Sequence, residues 1–345
     1  MQISSREVLG RITGRMGSRT CTLLRAVLVF SLAISVVTGI VPETSASEAE
    51  DQPTFLRHFW STSDKHHYKL SEGGEVAELV LDQKAAAGFA SKTRYLFGRF
   101  SVQMKVHPGD SAGTVSTFYT SSLSGKHDEL DFEFLGNEAG KPYVLQTNVY
   151  SSGVGDREQR IRLWFDPTED FHTYEIHWNK EIVIFMVDDT PIRIFKNNED
   201  LGVPYPSQQA MSVFASLWNG EDWATQNGAI KLNWEKAPFV ASYRGYEVEG
   251  CEVPWYEGNV TYCMTSPDMD VMLRRATIHT LTTRQQARLQ WVTENLQVYD
   301  YCKDFVRYPT QGPECSRNSG LQIIGPLPLK YLNGLQALGE SRASE

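Results

Sequence analysis

Cysteine is scarce in this chain of 345 residues, and none occurs between residues 22 and 250. The five cysteines form no CxxC pair and no CxxH cluster. Their spacing therefore lends no support to a zinc site, which is the alternative use of clustered cysteines. We expect neither a metal ion nor an organic cofactor in this protein.

Positive charge is also in short supply, since 33 Lys and Arg stand against 42 Asp and Glu for a formal net charge of -9. Five of the arginines lie within the first 46 residues, so the rest of the chain is more acidic still. Such a chain does not suggest nucleic acid as a partner, because phosphate binding needs clustered Lys and Arg. A neutral polymer is compatible with it. The eight Trp and fifteen Tyr suit sugar rings, although a β-rich core uses aromatic residues equally well.

The amino-terminal segment has the composition of a targeting signal. Arginines precede or open an apolar stretch at residues 23–41, and Pro42 and a run of small residues at 44–47 follow. This is the order of a signal peptide, which we assign to residues 1–46, with an uncleaved signal anchor as the alternative. In either case we expect the rest of the chain to be secreted.

Four cysteines, Cys251, Cys263, Cys302 and Cys315, lie in the last third of the chain. An even number of clustered cysteines in an exported protein predicts two disulfides. Of the three possible pairings we favour the local one, Cys251–Cys263 and Cys302–Cys315, which closes two short loops. The sequon that begins at Asn259 lies inside the first loop and predicts a glycosylation site.

Helical periodicity is absent between residues 54 and 245, where short strand-like segments follow one another with turn residues between them. Many such strands predict an all-β sandwich or jelly roll of one domain over this range. The predicted strands are residues 95–106, 113–121, 127–136, 144–150, 161–165, 171–178, 182–187, 192–196, 211–218, 229–234 and 239–243.

Beyond residue 250 the pattern changes. Residues 282–295 follow a helical period, and Thr282 with Gln285 forms a potential capping box. We interpret residues 246–318 as a small disulfide-linked extension that packs on the β domain, and residues 319–345 as a tail.

The most informative segment is the predicted strand at residues 127–136. Acidic and apolar residues alternate there in the order Glu129, Leu130, Asp131, Phe132, Glu133, Phe134. Because side chains of a strand alternate between its two faces, the three carboxyl groups share one face and the apolar groups share the other. Three adjacent acids repel one another, which costs stability.

An ordinary half-exposed strand also alternates, and that remains the alternative interpretation on spacing alone. Three facing acids without an interleaved base are unusual for such a strand. Two carboxyl groups of unequal pKa are what the cleavage of a glycosidic bond requires. The pattern therefore suggests a glycosidase-like site.

A set of segments resembles the xyloglucan endotransglucosylase/hydrolase family of plant cell walls, a branch of glycoside hydrolase family sixteen. The segments that carry the resemblance are residues 95–99, 111–115, 127–137, 156–159, 163–167, 191–193, 216–219, 222–225, 236–239, 299–302 and 313–315, with Arg307. The resemblance covers residues 54–318. It implies a curved jelly roll of two antiparallel sheets with an open cleft on the concave face.

The resemblance also implies the roles of the three acids. Glu129 matches the nucleophile, Glu133 the general acid/base, and Asp131 a helper residue between them. Retention needs the two working carboxyl groups about 5–5.5 Å apart, whereas four strand residues separate their Cα atoms by about 13 Å. Long glutamate side chains on one twisted face can close this gap. We expect the charge of Asp131 to raise the pKa of Glu133 and keep it protonated.

Further residues match substrate contacts of the family, and several are polar or aromatic side chains suited to sugar rings. They are Tyr119, Gln146, Asn148, Arg160, Trp218, Asp222, Trp223, Tyr299 and Arg307. The last two belong to the extension, which the family places on the acceptor side of the cleft. The family's usual sequon after the catalytic strand is absent here, because residues 137–139 read Asn-Glu-Ala.

The resemblance implies a secreted enzyme of the cell wall, or apoplast, that cleaves xyloglucan with retention and transfers the chain to another xyloglucan end. A xyloglucan-specific hydrolase is the alternative, because both outcomes use the same catalytic residues. A non-catalytic lectin is the rival from another class, but no catalytic carboxyl group is missing. We expect a monomer with xyloglucan as donor and acceptor, and neither a protein nor a nucleic-acid partner.

Overall fold

The computed structural model describes residues 52–255 and 258–318. The predicted signal segment (1–46) and tail (319–345) lie outside the described residues. Within the described ranges, no helix is both long and apolar enough to span a membrane.

Strands dominate the described residues, and short helices occupy mainly the carboxy-terminal part. The strands are β1 (Phe59–Ser61), β2 (Tyr68–Ser71), β3 (Val76–Leu81), β4 (Ala87–Lys105), β5 (Thr114–Ser121), β6 (Glu129–Leu135), β7 (Val144–Tyr150), β8 (Gln159–Arg162), β9 (His172–Trp178), β10 (Ile182–Val187), β11 (Thr190–Lys196), β12 (Met211–Asn219), β13 (Phe239–Val253) and β14 (Gln297–Asp300). The helices are α1 (Thr54–His58), α2 (Thr261–Thr265), α3 (Pro267–Ala276), α4 (Thr283–Asn295) and α5 (Pro313–Asn318).

The strands form two stacked antiparallel layers, as a jelly roll does. The first layer, which we call the cleft layer, runs in the order β1-β4-β12-β5-β6-β7-β8-β14. The second, the outer layer, runs in the order β11-β10-β9-β4-β13-β3-β2. Strand β4 belongs to both layers, so their hydrogen bonding is continuous. The expectation of an all-β jelly roll is therefore confirmed.

Strand β4 can join both layers because its backbone turns in the middle. Phe97 and Gly98 have φ angles of 68° and 150°, and the register with β13 shifts between Gly250 and Cys251. The residues before this point pair with β1, β12 and the end of β13, and those after it pair with β9 and the earlier part of β13. A β-bulge of this kind bends a strand and increases its twist.

The core lies between the two layers and is rich in aromatic rings. Phe132 of β6 packs edge-on against Phe185 of β10, with the ring centroids 5.2 Å apart. Phe134 packs in the same way on Tyr174 of β9 at 4.9 Å. The Tyr243 hydroxyl of the outer layer donates to the Thr117 carbonyl of the cleft layer over 3.0 Å. These contacts fix the apolar face of β6 inward.

The extension follows β13 without a break in that strand. Disulfides join Cys251 to Cys263 and Cys302 to Cys315, the pairing that we favoured from the sequence. Helix α4 begins with the predicted capping box, in which the Thr282 side chain accepts from the Gln285 amide. The extension contacts both layers, because β14 pairs with β8 and Leu289 of α4 packs with apolar residues of β10.

One predicted strand is wrong. Residues 229–234 form no strand, and a 3-10 turn at Trp234–Lys236 ends this segment. The backbone there pairs with side chains instead of a neighbouring strand, since the Leu232 amide donates to the Glu221 carboxylate over 3.3 Å. The predicted hairpin is confirmed, because β10 pairs with β11 across Asp188 and Asp189, whose φ angles of 45° and 60° are those of a tight hairpin turn.

Substitution of Gly98 by Ala tests the bend in β4. A Cβ at this position would lie 2.7 Å from the Glu249 carbonyl oxygen and 2.7 Å from the Gly250 Cα. We expect a loss of about 3 kcal/mol in the free energy of unfolding, from the strained φ and the steric overlap. Urea unfolding measures it. Gly125→Ala is the control, because a Cβ there meets nothing within 4 Å; equal stability of the two variants would contradict the assignment.

Candidate active site

The two faces of β6 have opposite environments, as the alternation predicts. Leu130, Phe132 and Phe134 are fully buried in the core. Glu129 and Glu133 lie on the opposite face and line a cleft of about 1000 Å³, together with Asp131. The strand therefore carries its three acids to the floor of an open depression in the cleft layer.

The register of the neighbouring strands sets what surrounds each acid. Glu133 lies opposite Thr117 of β5 and Gln146 of β7, and Asp131 lies opposite Tyr119 and Asn148. Opposite residues of antiparallel strands point to the same face. These pairings place polar and aromatic groups on both sides of the acidic row.

Most of the predicted contact residues line this cleft. Those that do are Tyr119, Gln146, Asn148, Arg160, Trp218, Trp223 and Arg307. Asp222 lies outside the lining, and its exposed carboxylate is 3.3 Å from the Lys231 ammonium. Tyr299 lies beneath a lining residue, since its ring centroid is 5.3 Å from the Arg160 guanidinium carbon.

A chain of hydrogen bonds leads from Glu133 towards the extension. The Gln146 amide nitrogen donates to the Glu133 carboxylate, and its oxygen accepts from Arg160 Nε over 2.7 Å. Arg160 in turn lies opposite Tyr299 of β14. The amide of Gln146 is thereby held in one orientation, with its NH₂ group directed at the acid.

Burial dominates the electrostatics of the acidic row. It raises the pKa of Glu133 to about 7 from an ordinary value of 4.5, and the negative charge of Glu158 acts in the same direction. The expectation that the charge of Asp131 keeps Glu133 protonated does not match this arrangement. Two neighbouring charges act on the pKa of Glu133, since that of Glu158 raises it and that of Arg160 lowers it; sequence spacing did not indicate the approach of Glu158.

Asp131 interacts electrostatically with both glutamates and forms a hydrogen bond with Glu129. Burial and the charges of both glutamates raise the pKa of Asp131 well above its ordinary range. Burial also raises the pKa of Glu129 to about 7, although hydrogen bonds from Ser121 and Asp131 oppose this shift. Because the pKa of Asp131 is raised in this way, a protonated Asp131 can donate in the hydrogen bond to Glu129, and such a bond favours the ionised form of Glu129.

A buried cation lies behind the acidic strand. Arg193 of β11 donates from Nη1 to the Thr147 carbonyl over 2.7 Å and from Nη2 to the Arg157 carbonyl over 2.6 Å. Its charge lowers the pKa of Asp131, against the larger effect of burial. Arg193 thus links the outer layer to β7, and its positive charge partly offsets the negative charge of the acidic row.

Several lining residues were missed by the sequence analysis as site residues. His127 stacks on Tyr150 with ring centroids 4.9 Å apart, and its Nε2 is 3.9 Å from Glu129 Oε1. Tyr150 lies directly opposite Glu129 in the β6–β7 register. The period-two spacing from Gln146 and Asn148 could have indicated Tyr150, which is the next residue on that face of β7.

One end of the cleft is lined by a pair of indoles. Trp218 and Trp223 lie with ring centroids 6.1 Å apart, and Ala86 packs against the same apolar cluster. The opposite end is lined by Arg307 of the extension, which donates to the Asp156 carboxylate over 2.6 Å and to Glu158 over 3.1 Å. The described residues contain no cluster of three His, Cys, Asp or Glu side chains suited to a metal ion.

Comparisons with known proteins identify relatives of this chain. The model of glycosyl hydrolases family 16 matches residues 55–236, and that of the xyloglucan endo-transglycosylase C-terminus matches residues 266–315. Probable xyloglucan endotransglucosylase/hydrolase protein 5 of Arabidopsis thaliana is 46% identical over 305 residues, which are 88% of this chain and 99% of that protein. Xyloglucan endotransglucosylase protein 2 of Diospyros kaki is 48% identical over 285 residues, covering 83% and 93%. Among solved structures, the Crh5 transglycosylase in complex with NAG matches 56% of this chain and 79% of its own, at 27% identity and a TM-score of 0.48.

The raised pKa of Glu133 predicts a pH-dependent stability difference between the native protein and Glu133→Gln. The neutral carboxyl group favours the folded state below its unfolded pKa, and this contribution is lost as the pH rises through about 7. Glutamine stays neutral. We expect the variant to be more stable than the native protein by on the order of 2 kcal/mol at pH 8, with the difference vanishing near pH 4.

Urea unfolding at both pH values measures this difference. Glu169→Gln is the matched control, since Glu169 is exposed on a turn and should show no such trend. A constant difference between Glu133→Gln and the native protein across this range would contradict the burial of an ionisable group at position 133.

Proposed function

Because this chain belongs to glycosyl hydrolase family 16, and within it to the xyloglucan endotransglucosylases/hydrolases, we propose that it cleaves the β-1,4-glucan backbone of xyloglucan with retention and transfers the chain to another xyloglucan end. The observation that carries this proposal is the row of three acids on the floor of an open cleft. All three have raised pKa values, and Asp131 also forms a hydrogen bond with Glu129.

In this proposal Glu129 is the nucleophile. The hydrogen bond from Asp131 opposes the effect of burial on the pKa of Glu129, which supports an ionised carboxylate at this position. Its attack on the anomeric carbon forms a covalent glycosyl-enzyme. Asp131 is the helper residue, since it holds the carboxylate in place and supplies a proton to share with it.

Glu133 is the general acid in the first step and the base in the second. Burial and the charge of Glu158 raise the pKa of Glu133 to about 7, so a share of the molecules carries a proton on Glu133 near neutral pH and can protonate the leaving chain. Burial raises the pKa of Glu129 equally, so the division of roles rests on the hydrogen bond from Asp131 to Glu129. Glu133 then takes a proton from the incoming hydroxyl. A sugar hydroxyl gives transfer and a water molecule gives hydrolysis. The directed amide of Gln146 holds the Glu133 carboxyl group in line for both steps.

We assign residues 54–245 as the catalytic domain and residues 246–318 as an extension of its acceptor side. Arg307 lines the cleft from this extension, and Tyr299 supports Arg160 from below. Asn148, Tyr119, Trp218 and Trp223 complete the sugar contacts within the catalytic domain. Asp222, which lies outside the lining, takes part only if a decorating side chain of the polysaccharide extends beyond the cleft.

The remaining parts of the proposal concern the setting of the enzyme. We propose a secreted monomer of the cell wall with xyloglucan as its only partner, delivered by residues 1–46. The sequon at Asn259 is exposed in the loop that the first disulfide closes. A glycan there would lie on the extension, and we propose that it is attached.

Incubation with xyloglucan and a fluorescent xyloglucan oligosaccharide tests the activity. We expect the label to enter high-mass polymer without a matching gain in reducing ends, because the acceptor intercepts the glycosyl-enzyme. Size-exclusion chromatography and a reducing-end assay measure the two quantities. Shortening of the polymer with new reducing ends and no labelled polymer would indicate the hydrolase. Retention on the polysaccharide without either change would indicate the lectin.

Donors with different leaving groups distinguish the roles of Glu129 and Glu133, because only a sugar leaving group needs a proton from a general acid. With an aryl glycoside donor, whose leaving group needs no proton, we expect Glu133→Ala to keep its first step, while Glu129→Ala loses it. With xyloglucan as donor both variants should lose about 10³-fold in kcat/KM. A burst of released phenol measures the first step, and Glu169→Gln serves as the control. A burst from Glu129→Ala would reverse or exclude the assigned roles.

A further inference from the structure

Two tryptophans are exposed at one edge of the cleft layer. Trp60 is 62% exposed and Trp255 is 55% exposed. Trp60 belongs to β1, the edge strand of this layer, and Trp255 follows the end of β13. Large exposed aromatic rings are costly to leave in water, and grouped ones mark binding surfaces.

Both rings are held against one residue of β4. The Lys92 ammonium lies 4.5 Å from the centroid of the Trp60 ring, and the Trp255 indole N–H donates to the Lys92 carbonyl over 2.8 Å. The Arg94 guanidinium covers the Trp255 ring at 5.0 Å. Both indoles thus contact Lys92, and we call Trp60 and Trp255 the tryptophan platform.

The strand register places Trp60 on the same face as the acidic row. Trp60 lies opposite Ala90 of β4, which lies opposite Phe214 of β12. Phe214 lies opposite Tyr119, and Tyr119 lies opposite Asp131. Opposite residues of antiparallel strands share a face, so one transverse row joins Trp60 to the catalytic strand.

This row is continuous with the cleft. Phe214 and Tyr119 line it and stack on each other with ring centroids 5.1 Å apart, and Thr62 and Ser63, directly after β1, line it as well. Four strand intervals separate Trp60 from Asp131, which is about 19 Å. A β-1,4-glucan backbone advances per glucose by a distance similar to one strand interval, so Trp60 lies roughly four glucose units from the catalytic row.

We propose that the tryptophan platform binds the backbone of the donor polysaccharide beyond the cleft, with a glucose ring stacked on Trp60. This inference rests on the proposed function, because it uses the assignment of the opposite edge, with Tyr299 and Arg307, to the acceptor. The bound donor chain would then extend from the catalytic row across β12, β4 and β1, and Trp60 lies at the end of this course.

The chemistry of the platform favours a neutral glucan over an acidic polymer. The Lys92 ammonium already donates to the Leu56 carbonyl while it lies over the Trp60 ring, and Arg94 donates to the Pro254 carbonyl over 2.6 Å. Both cations thus already have a backbone carbonyl as a partner. Flat apolar indole surface is what the C–H face of a glucose ring contacts.

Donor length provides the test. Aryl glycoside donors with roughly two and roughly eight backbone glucose units are compared in the native enzyme, Trp60→Ala and Trp60→Phe. We expect Trp60→Ala to raise the KM of the long donor by about fivefold to tenfold with an unchanged kcat, because the lost contact is remote from the reacting bond. The KM of the short donor and that of the acceptor should stay unchanged, and Trp60→Phe should restore most of the loss.

Tyr262→Ala is the matched control, since Tyr262 is 59% exposed on α2 and does not line the cleft. An unchanged KM for the long donor in Trp60→Ala would overturn the proposal. An equal rise for short and long donors would overturn it too, because it would show that Trp60 only supports the cleft.

A binding assay separates this proposal from the proposed function. The affinity of Glu129→Ala, with and without Trp60→Ala, is measured by calorimetry for glucan oligosaccharides of increasing length and for an oligogalacturonate. A loss of affinity at position 60 that appears only with longer glucans supports the platform even where transfer activity is absent. A loss confined to the oligogalacturonate would overturn it in favour of an acidic polymer.

Discussion

The structure depends on one constraint, which is that β6 packs its apolar face into the core while its other face carries three acids on the floor of the cleft. The inward face packs Phe132 and Phe134 against the outer layer, and this fixes the direction of every side chain on the strand. Because side chains alternate along a strand, the other face then carries Glu129, Asp131 and Glu133 in a row. Their desolvation raises the pKa values on which acid–base chemistry relies, so packing and reactivity have the same origin.

The outer layer supplies a positive charge near this row of three acids. Arg193 is buried in β11 and reaches across to the carbonyls of Thr147 and Arg157. A buried guanidinium is costly unless its donors are satisfied; here two backbone carbonyls and the Thr147 hydroxyl accept from Nη1 and Nη2, whereas Nε has no hydrogen-bond partner among the described residues. The same cation lowers the pKa of Asp131. It therefore joins the two layers and limits the repulsion among the acids.

The sequence predicted what depends on local spacing. The alternation along β6, the hairpin turn at Asp188 and Asp189, and the capping box of α4 each follow from residues close together in the chain. The resemblance supplied the two-layer fold and most of the lining. What could not be predicted depends on register between strands distant in sequence. The charge of Glu158 raises the pKa of Glu133 across the intervening strand β7, and the spacing of the two residues in the sequence does not indicate that they lie close together.

The failed strand at residues 229–234 has a related cause. The segment is apolar enough to resemble a strand, but its amide at Leu232 pairs with the side chain of Glu221. Propensity describes whether a segment suits a pleated surface and not whether a partner strand is available. Residues 229–234 pair with none of the strands in the described part of the chain, and the Glu221 side chain satisfies the Leu232 amide instead.

The extension shows why the register matters beyond the catalytic strand. Strand β14 adds to the cleft layer after β8, and α4 packs on the outer layer at β10, so the added strand is held from both sides. With β14 included, eight strands lie side by side from β1 to β14, and seven intervals between them span about 34 Å. A chain laid across these strands meets one strand per glucose unit. Under the proposed function, the length of polysaccharide bound would therefore depend on the number of strands in the cleft layer, and the extension adds one strand to it.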